Sequence, residues 1–415
     1  MPDPREFSPG RPGRFALFLG AMFCQALAVG ILPPLLPLIQ GSLLLSTPEA
    51  GLIVAAFGFA RLCCDLPVGY LADRIGHRLG LLLGAAGIVT GTLLSAGAPG
   101  LPSLLVARGL VGVGHAFVSI GSLSLLLHAS PPGARGRTTN WMELTGVGGF
   151  TAGSLLGGQV GAAIGWRGAF LAAAAPALLG GILIAVTLPL RGPAVRSERM
   201  NPGFDSPAGA PALPRATILR LGFSPFLATF TLAAGWAGTL STLFPLYGAR
   251  ALGLSADAIG QAVGLAFLAD ILGLTVAGWA ADRLGRLAVL LPALGCLALG
   301  SALVPLTSGA PGYLLAGLLL GVAFAAWMMP PLLLADRLPG GLTGRRLGWY
   351  RFVVDAGFVA GPVGFTAVAE AAGFRAAGLA GALLAGVALL FTASGRGQPQ
   401  RWGEPPRETD GPTGG

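Results

Sequence analysis

Seven ionisable side chains stand inside stretches that are otherwise apolar: Arg61, Asp65, Arg108, Glu143, Asp270, Arg351 and Asp355. A charge held away from water is costly, so each is a candidate for function, paired or facing a water-filled cavity. Two chemistries are open to them. Arginine and aspartate can form buried ion pairs, where removing one partner costs about 3–5 kcal/mol, so that breaking and remaking a pair would bias one conformation against another. A buried carboxyl without a cation beside it favours its neutral form, which suits a proton carrier. Glu143 and Asp270 are the candidates for proton coupling. Arg108 could modulate a neighbouring carboxyl or hold an anionic substrate.

The elements that position these groups are membrane helices. The 415 residues are 53% hydrophobic and only 10% charged, with a mean hydropathy of +0.75, whereas soluble domains carry roughly 25% charged residues. Apolar runs near the length that crosses a bilayer, about 20 residues, recur at 14–37, 49–72, 79–98, 101–128, 138–163 and 168–189. A second set follows at 220–246, 256–280, 287–307, 312–334, 346–371 and 374–393. This is an all-α membrane protein of twelve transmembrane helices, six plus six. The 68 glycines and 33 prolines are tolerable there, because small residues let membrane helices approach and neighbours satisfy backbone freed by proline.

All 26 cationic side chains are arginine. Without lysine there is no phosphate loop of the Walker type and no pyridoxal Schiff base. The net charge of +9 is a topology signal rather than a nucleic-acid footprint. With the N-terminus inside, the inner tails and loops hold twenty arginines and the outer loops hold Arg167, Arg250 and Arg375. That bias puts both termini in the cytoplasm. Cys24, Cys63, Cys64 and Cys296 fall inside spans, match no metal or haem spacing, and read as structural. The first apolar run is too long for a signal-peptide core and reads as a retained helix.

The chain repeats itself. Gly69, Tyr70, Leu71, Ala72, Asp73, Arg74, Ile75 and Gly76 are matched 209 positions on by Gly278, Trp279, Ala280, Ala281, Asp282, Arg283, Leu284 and Gly285. Gly149, Phe150 and Gly153 are matched 208 on by Gly357, Phe358 and Gly361, as is Trp141 by Trp349. The expected division is a cytoplasmic tail at 1–13, a six-helix bundle at 14–189, a proline-rich cytoplasmic linker at 190–219, a second bundle at 220–393 and a cytoplasmic tail at 394–415. Two homologous six-helix halves with a site between them near the bilayer midplane are a common transporter plan.

On these residues the chain resembles the major facilitator superfamily, and within it the drug:proton antiporter-like branch, over essentially its whole length. The turns Gly69–Arg78 and Gly278–Arg286 look like that family's signature loop and its second-half counterpart. The resemblance gives Gly69, Asp73, Arg74, Gly76, Arg78, Gly278, Asp282, Arg283, Gly285 and Arg286 a gating role, latching the halves in the outward-open state. The two aspartates would cap neighbouring helix N-termini. Arg108 with Gly112 resembles the arginine-glycine motif of proton-coupled members. Gly149, Gly153 and Gly157 resemble the fifth-helix antiporter motif, although Ser154 stands where that motif has proline; the second-half copy Gly357, Gly361, Pro362 keeps it.

In that family's fold the second helix packs on the eleventh and the fifth on the eighth. Matching depths along the helices then pairs Asp65 with Arg351 and Arg61 with Asp355 across the halves. The repeat offsets map Arg61 onto Asp270 and Arg351 onto Glu143, leaving the fifth–eighth interface with two acids and no base. The resemblance lines the cavity with helices 1, 4, 7 and 10, and so with Gln25, His115, Ser119, Trp236, Thr239, Trp327 and Met328. Such a lining suits bulky lipophilic compounds better than sugars.

The expected protein is thus a multi-pass secondary transporter of the bacterial inner (plasma) membrane, working by alternating access as a monomer in the lipid bilayer. Its partners are protons and an amphiphilic small molecule that it exports, with no cofactor, no metal and no nucleic acid. The rival is a proton-coupled uptake permease for a small metabolite such as an organic acid, anchored by Arg108. No His-Glu-x-x-His, nucleophile elbow or fused signalling domain points to an enzyme or a sensor.

Overall fold

The computed structural model describes residues 12–130, 135–188, 215–337 and 344–394. The tails at 1–11 and 395–415 and the linker as far as residue 214 lie outside the described residues. All regular structure among the described residues is helical.

Ten helical stretches are long and apolar enough to cross a bilayer, but two of them, Arg137–Thr187 and Arg346–Ser394, run for 51 and 49 residues. A single crossing takes about 20. Each is broken by one glycine, Gly165 (φ 76°, ψ 169°) and Gly373 (φ 85°, ψ 167°), in a backbone region essentially restricted to glycine. The neighbours establish that the chain reverses there. Positions 149, 153 and 157 meet Ala26, Gly30 and Ile31 in ascending order, whereas Gly180 meets Ala21 and Gly20 meets Leu183. The arm before Gly165 therefore runs parallel to the first helix and the arm after it runs antiparallel. Gly357 and Gly361 meet Ala233 and Ala234, while Phe391 lies against Phe223, so Gly373 does the same in the second half.

Counted this way there are twelve spans among the described residues. Span 1 joins Pro12–Gly30 to Leu32–Ser42; span 2 is Thr47–Ile75, span 3 His77–Ala96 and span 4 Leu101–Ala129. Spans 5 and 6 are the two arms of Arg135–Thr187. Span 7 runs from Arg215–Ala234 through a π-helix, Gly235–Leu243, into Phe244–Leu252. Span 8 is Ala256–Leu284, span 9 Arg286–Leu303, and span 10 joins Ala310–Phe324 to Met329–Arg337. Spans 11 and 12 are the arms of Gly344–Ser394.

Local chemistry explains most interruptions. Span 1 restarts at Leu32 because Pro33 and Pro34 occupy its first turn, where a missing N–H costs nothing. Span 10 restarts at Met329 ahead of Pro330 and Pro331 in the same way. In the π-helix the Thr242 hydroxyl donates to Ala237 O five residues back, at 2.6 Å.

The repeat seen in the sequence is written into the backbone. Gly76 (φ 84°, ψ 155°) and Gly285 (φ 88°, ψ 157°) open spans 3 and 9 with nearly the same dihedrals. Each half has its own apolar core, one built on Phe18, Leu35, Ile53, Leu81 and Phe170, the other on Phe244, Phe267, Leu294 and Phe324. The halves meet along two antiparallel seams. Span 2 follows span 11 from Thr47 beside Glu370, through Gly51 on Thr366 and Gly58 on Phe358, to Asp65 on Arg351. That is about 27 Å of helix. Span 5 follows span 8 through Gly158 on Gly260 and Leu155 on Gly264 to Phe150 on Phe267.

Candidate functional site

Four charges close the deep end of the first seam. Arg61 Nη2 lies 3.2 Å from Asp355 Oδ1, and Arg351 Nη1 lies 3.3 Å from Asp65 Oδ2. Arg61 also stands 4.0 Å from Asp65, one turn along its own helix. The two pairs thus form one network crossing between halves. Asp355 is the most enclosed member, its side chain only 1% exposed, against 13% for Arg61 and 28% for Arg351.

Directly against this network sits an aromatic centre. The Arg61 guanidinium carbon is 5.9 Å from the Phe57 ring centroid and 5.6 Å from that of Phe358. Trp236 of span 7 meets Phe358 edge-on at 5.3 Å, Phe150 at 5.3 Å and Phe267 at 5.8 Å. Trp327, in the break of span 10, lies 6.0 Å from Phe358. On the other side, His115 meets the Phe57 ring edge-on at 5.2 Å, and Arg108 is 5.9 Å from the same ring. Arg108 is 2% exposed, and its Nε and Nη1 have no hydrogen-bond acceptor.

Asp270 is 4% exposed, with Oδ1 unpartnered, and its charge and that of Glu143 act on each other. The expectation of an interface with two acids and no base needs correction. The charge of Arg351, paired with Asp65 on the first seam, bears on Glu143 as well. The charge of Glu143 acts on Tyr350 as well.

Of the residues assigned to the cavity, the structure brings His115, Trp236 and Trp327 to the centre, with Met328 half-buried beside Trp327. Ser119 is half-buried, and its hydroxyl bonds Ala116 O of its own helix. Gln25 and Thr239 are corrections. Gln25, 1% exposed, donates from Nε2 to Ala177 O of span 6 at 2.9 Å, which joins spans 1 and 6, while its Oε1 has no partner. Thr239, also 1% exposed, faces Gly381 of span 12. Sequence reasoning missed Phe57, Phe150, Phe267, Phe358 and Tyr350. The only signal was that Phe150 and Phe358 are repeat partners.

The turns engage within their own halves. Arg74 stacks 4.3 Å over Tyr70 and Arg283 stacks 4.7 Å over Trp279, each on its own helix. Arg78 donates to Ala185 O at 3.0 Å, and Arg286 pairs with Asp336 and reaches Leu332 O. Gly69 and Gly278 have no neighbours that a Cβ would meet. The side chain of Asp73 lies outside what the structure describes; Asp282 is exposed. Gly76 and Gly285 are themselves the N-caps of spans 3 and 9, and their reversed backbone opens each helix. The opposite face is tied across the halves: Arg250 Nη1 donates to Thr47 Oγ1 at 2.9 Å, and Thr47 N to Glu370 Oε2 at 3.3 Å.

The glycine motifs are contact surfaces. Gly149, Gly153 and Gly157 lie against span 1, and Gly357 and Gly361 against span 7, so closely that a Cβ would come within 3 Å of backbone. Ser154, standing where proline was expected, donates to Gly30 O at 3.0 Å. Its counterpart Pro362 offers its carbonyl to Thr366 Oγ1 at 2.5 Å.

Two related six-span bundles meeting at a charged and aromatic centre define a class, multi-pass α-helical membrane proteins with a site at the interface of an internal repeat. A family model described as Major Facilitator Superfamily matches residues 18–255 and again 225–413, and the chain belongs to that family. Among curated relatives, the chain is 33% identical to the Drug efflux pump JefA of Mycobacterium tuberculosis over 36% of its length, which is 30% of that protein. It is 25% identical to the MFS-type transporter YceJ of Bacillus subtilis over 69% of this chain and 71% of that one. It is 26% identical to Multidrug resistance protein 1 of Bacillus subtilis, over 59% and 60%. The chain therefore spans less than a third of the mycobacterial pump. Two solved structures share the fold. One is the human organic anion transporter MFSD10, with TM-score 0.64 and 22% identity over 94% of this chain and 100% of that one. The other is a bacterial homologue of the human lysosomal transporter Spinster, with TM-score 0.68 and 15% identity over 92% and 96%.

Proposed function

We propose that this protein is a secondary active transporter that exports amphiphilic small molecules across the bacterial inner membrane in exchange for protons. It works as a monomer by alternating access, with both termini and the two Asp-Arg turns on the cytoplasmic side. The observation that carries the reading is the cross-half ion network at the deep end of a seam that closes one face. Opening that face requires Arg61–Asp355 and Arg351–Asp65 to part. The seam is a switch because a parted pair leaves uncompensated charge unless another group takes it up.

Glu143 and Asp270 supply that other group. A proton arriving at Glu143 frees Arg351 for Asp65 and stabilises the closed seam; its departure draws the guanidinium away. The structure is read as the state closed to the outside. In the opposite state Asp73, Arg74, Arg78 and their second-half counterparts would latch the cytoplasmic ends. Efflux is favoured by the named activity of the mycobacterial relative, by the drug resistance named for the Bacillus one, and by the aromatic walls of the centre, which suit lipophilic bodies.

The test is proton flux in liposomes against a compound panel, comparing wild type with Glu143→Gln and Asp270→Asn. Coupled flux is expected to fall by about 10²–10⁴-fold in one variant, the range for loss of a positioned proton-transfer group. Uphill transport on a proton gradient in both variants would remove proton coupling through these acids. Deletion separates the directions: drug hypersensitivity marks export, and a growth defect on one nutrient marks uptake.

A further inference from the structure

Every buried cation of the centre has a counter-ion except one. Arg61 has Asp355, and Arg351 has Asp65. Arg108, 2% exposed, makes no ion pair among the described residues, and Nε and Nη1 lack any acceptor. The Phe57 face 5.9 Å away contributes about 2 kcal/mol, against the several kcal/mol that burying an ion costs. Asp270 is also unpartnered at Oδ1, but a carboxyl can shed its charge by taking a proton. A guanidinium cannot be deprotonated in a protein. Arg108 alone needs a counter-ion from outside the chain.

Its surroundings describe that counter-ion. His115 lies on the same helix and against the same Phe57 ring, and its buried Nδ1 has no partner. Arg61, 5.9 Å from that ring, adds positive potential. Arg61 also touches Phe358, against which Trp236 and Trp327 stand, so the cationic corner adjoins an aromatic wall.

We propose that the centre binds amphiphiles by an anionic end, a carboxylate or sulfonate seated on Arg108 and His115, with an aromatic or apolar body against Trp236, Trp327 and Phe358. The proposal rests on the reading of this centre as the transport site and assigns its substrate class. A cationic amphiphile of the same body is rejected by Arg108.

The experiment is equilibrium binding of 1-naphthaleneacetate and of 2-(1-naphthyl)ethylammonium to the full chain in lipid nanodiscs, with no gradient. Wild type is expected to bind the anion at least tenfold tighter than the cation. Arg108→Gln is expected to weaken the anion by about 10–150-fold, the range for a charged hydrogen bond, and to leave the cation unchanged or improved. Arg108→Lys, which keeps the charge, is expected to retain part of the anion affinity. Cation binding equal to or tighter than anion binding in wild type, which needs no variant to fold, overturns the proposal. So does the absence of saturable anion binding, or an anion Kd within twofold of wild type in a folded Arg108→Gln. Anion binding without proton-driven flux supports this site and removes the transport reading. Proton-driven export of cations with no anion binding does the reverse.

Discussion

Neutralising one member of the Arg61–Asp355 pair should cost more than neutralising both. With Asp355 1% exposed and Arg61 13% exposed, an orphaned partner has almost no water to turn to, and the single cost is about 3–5 kcal/mol. That is a shift of roughly two to three and a half orders of magnitude in an equilibrium. The singles should also differ. Asp355→Asn leaves Arg61 with Asp65 at 4.0 Å and two ring faces, whereas Arg61→Gln leaves Asp355 beside the like charge of Asp65, with Arg351 as its remaining cation. The expected order is Arg61→Gln worse than Asp355→Asn, with the double variant milder than the sum of the two. Spin labels at Leu44 and Ala251, exposed positions on opposite halves beside the closed face, report the outcome once Cys24, Cys63, Cys64 and Cys296 are replaced. The long-distance population should rise in each single and fall back in the double. Additive shifts, with a coupling below about 0.5 kcal/mol, would refute the argument that these charges act as a buried pair.

The outer tie behaves differently. Glu370→Gln and Arg250→Gln lie at the exposed rim, each losing one hydrogen bond to Thr47, and should each change the closed population by about 1.5 kcal/mol or less; a larger shift by spin-label distance would contradict this. At the second seam, a Cβ on Gly158 would fall 2.5 Å from Ala256 O and 2.9 Å from Gly260 Cα. Gly158→Ala should therefore weaken the closed face by about 1–3 kcal/mol, read as earlier unfolding and a longer label distance. Gly165→Ala should lower stability by about 1–3 kcal/mol through its backbone alone. Gly364→Ala, in a helix with nothing for its Cβ to meet, should be neutral or stabilising; thermal melts of the two compare them, and equal losses would discount the backbone argument.

What the sequence carries well is repetition. The matched turns, the 209 and 208 offsets and the apolar runs anticipate a two-bundle fold because bilayer thickness leaves little freedom in span length. The reversals at Gly165 and Gly373 fall in the short gaps between the runs 138–163 and 168–189 and between 346–371 and 374–393. The centre was less readable. Phenylalanine in a span can face lipid, a neighbouring helix or a cavity with the same sequence signature, so Phe57 and Phe358 gave no sign of sitting beneath Arg61. The resemblance places Gln25 and Thr239 in the cavity through spans 1 and 7, but spans 6 and 12 lie behind them and take their contacts. The mapping of acids by repeat treated each seam separately and could not see the charge of one arginine bearing on both of them.

A hairpin turned by a single residue has no slack. Spans 5 and 6 share only Gly165 between them, so neither can slide along the other without dragging the backbone through a disallowed region. Span 5 carries the seam against the opposite bundle, while span 6 is bonded to span 1 through Gln25. Any tilt imposed at the seam is therefore delivered to the body of the bundle undiminished, as a lever delivers it to its fulcrum.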